Sequence, residues 1–154
     1  MNSFQPLQYL ALDRRGGAQQ VVAALNYERD PSQLEWLHLD YKDAASIDWL
    51  RNKSGIAEMY VDALTADDPR PRSLVVGDSL LLILRGINLN SGANPEDMVS
   101  LRLWIQADRV LTLRHRRLNS VQEVADQLDT GNGPASPGEL LNVILSRLLA
   151  KIGS

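Results

Sequence analysis

There is no cysteine in this chain, which removes any disulfide framework and any thiolate metal site and fits a reducing compartment. Long apolar runs are missing as well. The longest unbroken aliphatic stretch, Leu80 to Leu84, is far short of the ~20 residues that a membrane-spanning helix needs. The opening MNSFQPLQYL lacks the basic start and apolar core of a signal peptide. The chain as it stands is therefore expected to be soluble. An excess of positive charge is missing too. The formal net charge of −3 argues against nucleic-acid binding as a property of the whole domain. No Walker loop, Gly-x-Gly-x-x-Gly or HExxH helix occurs. With no internal repeat and no low-complexity linker, residues 1–154 read as a single domain.

What is there suits a folded α/β domain. The chain is 44% hydrophobic and 154 residues long, enough for a sizeable core. Tyr9 to Leu12 and Gln20 to Ala23 flank Arg14-Arg15-Gly16-Gly17, the pattern of a hairpin with a glycine turn. Glu35 to Tyr41 alternates as a strand. Leu37, Leu39 and Tyr41 fall on one face, and Trp36, His38 and Asp40 on the other. Asp43 starts a helix carrying Ile47 and Leu50, and Gly55 is placed to end it at the C′ position. A second helix is expected over 57–64. Asp67-Asp68-Pro69-Arg70-Pro71-Arg72 cannot be helical, because each proline restricts the residue before it.

Strands follow at 73–76 and 80–87, split by Gly77-Asp78, then at 99–106 and 110–114 around a tight turn at 107–109. In the third of these, Leu101, Leu103 and Ile105 alternate with Ser100, Arg102 and Trp104. The run Leu80 to Leu84 reads as a central strand covered on both faces. The last third is helical. Ser120 to Glu123 and Ser136 to Glu139 are capping boxes, the second with Pro137 at the first helical position. Val121, Val124, Ala125 and Leu128 form one face. Leu141, Ile144, Leu145, Leu148, Leu149 and Ile152 form another, still running where the sequence stops. That reads as a piece cut from a longer protein. The order of elements gives an α/β domain, and the strand meander makes the sheet mixed, largely antiparallel.

Gly77-Asp78-Ser79-Leu80 spells the GDSL block of serine esterases. In those enzymes the serine opens a helix near the N-terminus, and an Asp-x-x-His motif supplies the base. Here five aliphatic residues follow, and neither histidine, His38 or His115, sits three residues after an aspartate. A serine without a positioned base is a weak nucleophile. Gly77-Asp78 therefore reads as a turn and the chain as no enzyme. Candidate cation ligands are the pairs Asp67, Asp68 and Glu96, Asp97 on loops, and His38 with Asp40 on one strand face. None forms a full ligand set, so solvated loops and a hydrogen-bonded histidine compete with that reading. Arg102, Arg114, Arg116 and Arg117 form a basic group that could take an anionic ligand or make a subunit contact. It lacks the aromatic platform of a single-strand binder.

The ordered set of segments resembles one family. Trp36-Leu37-His38-Leu39-Asp40, the Asp-Asp-Pro-Arg-Pro-Arg element at 67–72, LLLILRGINL at 80–89, Val110 to Arg117 and the helix from Ser136 to Leu149 resemble the N-terminal cytoplasmic domain of CorA-type divalent-cation transporters. WLHLDY, LRGINLN, PEDMVSLRLWI and TLRHRRL are most similar to the ZntB zinc-transporter branch, where His38 replaces the aspartate frequent in the general family. The resemblance implies a three-layer αβα sandwich that assembles as a homopentamer and forms a funnel on the cytoplasmic side of a bacterial inner membrane. It implies a following stalk helix and two membrane spans joined by a Gly-Met-Asn loop, none of which is in this sequence. No cofactor is required; zinc or magnesium would be the transported or regulatory ion. Asp67, Asp68, Glu96 and Asp97 are chosen as regulatory candidates from loop chemistry, not from a family motif. The partners implied are the protein's own stalk and membrane segments, with no nucleic acid. The oligomeric state of the isolated domain is left open, a monomer included.

Overall fold

The computed structural model describes residues 4–21, 32–67, 70–87, 98–115 and 119–152. A seven-stranded sheet forms its middle layer. The strands are β1 (Gln8–Leu12), β2 (Ala18–Gln20), β3 (Leu34–Asp40), β4 (Arg72–Val76), β5 (Ser79–Ile87), β6 (Met98–Ile105) and β7 (Arg109–Arg114). They lie in the order β2-β1-β3-β7-β6-β5-β4. Only β3 and β7 run parallel; every other neighbouring pair is antiparallel. The sheet is thus mixed and largely antiparallel, as the meander required.

Helices cover both faces. α1 (Ala44–Asn52) and α2 (Glu58–Thr65) share one core with Leu37, Leu39, Tyr41, Leu81, Trp104, Leu111 and Leu113. α3 (Asn119–Asp129) and α4 (Pro137–Ile152) share the other with Leu34, Trp36, Leu101, Leu103 and Val110. This is a three-layer αβα sandwich. The period of two in β3 and β6 sends alternate residues into the two cores. Each fully buried leucine stabilises the fold by about 1.5–3 kcal/mol relative to exposure.

Local signals set the helix starts. Asp43 caps α1: its Oδ2 accepts from the Ser46 N–H at 3.1 Å and the Ser46 hydroxyl at 2.8 Å. Ser136 caps α4 by accepting from the Glu139 N–H at 3.1 Å. Glu139 reaches back to the Ala135 N–H, one residue before the reciprocal partner of a standard capping box. α3 begins at Asn119, so Ser120 is already helical and cannot serve as the cap, which needs a non-helical backbone. Lys53 is the C-cap of α1, which puts Gly55, with φ of +80°, one position beyond the C′ site expected for it. Leu140, absent from the expected face of α4, is fully buried beside Ile144.

The strand expected at the centre lies elsewhere. β5 has only β4 between it and the sheet edge, and Leu81 and Ile83 are its fully buried described side chains. The centre belongs to β7, flanked by β3, whose residues are buried at every position except Asp40. Strand order is a tertiary property that an aliphatic run does not encode. Gly77, at φ of +57°, is the first of two residues in the β4–β5 hairpin turn, where glycine meets no Cβ penalty. Gly16, at φ of +100°, lies so close to the α3–α4 loop that an added Cβ would sit 2.6 Å from the Gly131 carbonyl oxygen.

Candidate functional site

Because β3 and β7 are parallel, their C-terminal ends lie side by side, with His38 opposite Thr112 and Asp40 opposite Arg114. β6 runs against β7, so its N-terminal half reaches the same end, with Arg102 opposite Leu113. Asp40, Tyr41, Lys42, Arg102, Arg114 and His115 are gathered there. This rim is a polar cluster that the strand topology creates.

Below the rim, Thr112 is fully buried and its hydroxyl serves two rings. Trp36 Nε1 donates to Thr112 Oγ1 at 2.9 Å, and His38 Nδ1 lies 2.7 Å from the same oxygen. His38 is 6% exposed. Burial pushes its pKa down to about 3, helped by the nearby Arg114 charge and opposed by hydrogen bonding at Thr112 and the Asp40 carboxylate. The imidazole is neutral at physiological pH.

At the rim itself, Asp40 Oδ1 accepts from the Lys42 N–H at 3.0 Å and lies 3.2 Å from His115 Nδ1. Arg114 Nη1 donates to the His115 carbonyl oxygen at 3.1 Å. His115 stands edge-on to the Tyr41 ring, with centroids 5.9 Å apart. The same ring carries the Arg102 guanidinium 3.5 Å from its centroid. Arg102 is fully buried; its Nη1 donates to the Leu64 carbonyl oxygen at 2.9 Å, tying β6 to the end of α2. Burial lowers its pKa, opposed by Tyr41 and Asp67 and reinforced by Arg85.

The sequence candidates divide accordingly. His38 and Asp40 share a strand face as expected, yet each turns to a different partner, Thr112 for one and His115 for the other. Asp67 follows α2 with its side chain 88% exposed, 4.0 Å from Lys42 Nζ. Asp68, Glu96, Asp97, Arg116 and Arg117 lie outside the described residues. Among the described residues, no three histidine or acidic side chains converge to hold a metal ion. Arg102 points into the α1/α2 layer with Trp104, whereas Arg114 follows Thr112 on the α3/α4 side, so these two arginines do not form one anion site. Ser79 pairs with Val76 beside the hairpin turn, at the opposite end of the sheet from His115. Thr112 and Tyr41 were missed as polar partners. A lone hydroxyl in an otherwise aliphatic strand is the signal that marks Thr112.

The family described as "CorA-like Mg2+ transporter protein" matches residues 31–153, and the chain belongs to that family. It is 39% identical over 146 residues to the divalent cation transporter CmaX of Pseudomonas aeruginosa, covering 92% of this chain and 43% of that protein. It is 33% identical over 130 residues to the zinc transport protein ZntB of Yersinia pseudotuberculosis, covering 84% of this chain and 39% of that one. Among solved structures, full-length CmaX superposes with a TM-score of 0.89 at 35% identity, over 99% of this chain and 48% of that one. The ZntB cytoplasmic domain of Vibrio parahaemolyticus gives 0.83 at 28% identity, over 99% and 60%. The chain therefore spans less than half the length of these two transporters. Among the described residues, no helix is long and apolar enough to cross a membrane.

Proposed function

We propose that this chain is the cytoplasmic funnel domain of a divalent-cation transporter, with zinc as the ion, contributing to assembly, ion attraction and gating. The observation that carries this reading is the superposition on full-length CmaX, in which this chain accounts for one half of the longer protein. Zinc is preferred because the ZntB relatives are named for it. The chain itself transports nothing on this reading; stalk and membrane segments of the same protein complete a homopentamer at the inner membrane.

The domain's part is then electrostatic and conformational. A ring of loop carboxylates between subunits raises the local concentration of a divalent cation. It shifts closed against open states only so far as the ion binds one of them better. Asp67, Asp68, Glu96 and Asp97 are the candidates for that ring, with zinc or magnesium as the regulatory ion.

The test is flux. The protein expressed from its complete reading frame and reconstituted into liposomes is expected to admit zinc, while this chain added alone leaves the liposomes silent. A protein recovered from its source cells only in the soluble fraction, and no longer than this chain, would overturn the proposal.

A further inference from the structure

The two free edges of the sheet are built differently. β2 is three residues long and ends in the exposed Gln19 and Gln20. β4 is five residues long and carries Leu74, Val75 and Val76, with Leu74 37% and Val75 75% exposed. Neither helical layer covers it, since Arg72 to Val75 are exposed on both faces of the strand. Sheet edges in monomeric proteins are commonly guarded by charge, proline or shortness. Within β4 and its described flanks, charge and proline sit outside the apolar centre, at Arg70 to Arg72 before it and Asp78 after it.

The hydrogen-bond parity of this edge follows from the hairpin. Two residues, Gly77 and Asp78, separate the paired Val76 and Ser79. A pair flanking a two-residue turn exchanges both of its backbone bonds, and such pairs alternate along an antiparallel ladder. Arg72, Leu74 and Val76 therefore direct their backbone groups toward β5. Ser73 and Val75 direct theirs outward, to the open edge.

We propose that this edge pairs antiparallel with the β4 edge of a second copy of the chain, continuing the sheet across a twofold axis. Centring the axis on Leu74 places Ser73 opposite Val75 of the second copy, so the outward-facing groups meet each other. It sets Leu74 against Leu74 of the second copy at a non-hydrogen-bonded position, where side chains come closest. It also brings Arg70, two residues before the strand, toward Asp78 in the hairpin turn of the second copy, both exposed, twice across the axis. Shifting the register by two residues either way shortens the overlap of the two strands. This isologous contact is separate from the heterologous ring contacts of a pentamer. A five-residue edge buries much less than the ~1,200 Å² of a stable complex, so the association is weak.

Sedimentation velocity on this chain across a concentration series tests the proposal. The expected result is reversible dimerisation, with amide exchange at Ser73 and Val75 slowing as concentration rises. Val75→Pro removes an N–H that β5 does not use and is expected to weaken association about tenfold with the fold intact by circular dichroism. Asp78→Arg is expected to weaken it as well, and Arg70→Asp in the same chain to restore it. A chain that stays monomeric to about 1 mM overturns the proposal. So does a dimer indifferent to both single substitutions, which would place the contact on another surface or leave β4 to a different protein.

Discussion

β3 and β5 are both rich in large apolar residues, over Leu34 to Leu39 and Leu80 to Leu84, and the fold treats them differently. β3 is buried at every position before Asp40, because strands flank it on both sides and helices lie over both faces. β5 buries Leu81 and Ile83 completely, while Leu82 and Leu84 only lean against the α3/α4 core. Hydrophobicity brought both segments into the sheet, but their places in the strand order decided how much each contributes. The polar groups follow the same division. At the centre a buried hydroxyl and two rings satisfy one another, and toward β4 the backbone itself is left open.

The largest test of that contrast is truncation at its two ends. Trp36→Ala at the centre is expected to cost about 3–5 kcal/mol in urea unfolding. Val75→Ala at the edge should stay within about 0.5 kcal/mol. Comparable losses at both positions would end the distinction. Thr112→Val comes next. It removes the oxygen shared by Trp36 Nε1 and His38 Nδ1 and leaves buried groups unpaired, with an expected loss of about 1–3 kcal/mol.

The pH dependence sharpens the picture further. His38 is depressed from its ordinary 6.5 to about 3 in the folded chain. Below pH 6.5 the unfolded state binds a proton that the folded state refuses. Stability therefore falls as pH drops through 6.5 toward 3, by about 1.4 kcal/mol per unit. Unfolding at pH 6.5 and pH 5 should differ by about 2 kcal/mol from this source, and His38→Gln should flatten the slope. An unchanged slope would show that His38 is not the group responsible. A smaller loss than at Trp36 is expected at Gly77→Ala. Its φ of +57° costs an alanine about 1 kcal/mol, and the open space around the site adds no clash.

Much of this was legible from residues close together in sequence. The caps at Asp43 and Ser136 were readable because a cap is decided within three or four residues. The alternation of β3 and β6 was readable because it has a fixed period. The start of α3 was misplaced by two residues, since the Ser120 box points to a first helical residue at Val121 and the helix begins at Asn119. The candidate site was less legible. His38 and Thr112 stand 74 residues apart, and only the parallel pairing of β3 with β7 brings them within a hydrogen bond. Arg102 and Arg114 looked like neighbours in a meander, but the strand register sent them into different layers.

The sequence by itself determined the elements, their amphipathic faces, the turn at Gly77-Asp78 and the family, because each rests on local chemistry or on an ordered string of segments. The tertiary structure alone decided which strand is central, that His38 is buried and neutral, that Arg102 is buried against Tyr41, and that β4 lies at the sheet edge. Those outcomes depend on strand order and register, which are set by the packing of residues far apart along the chain.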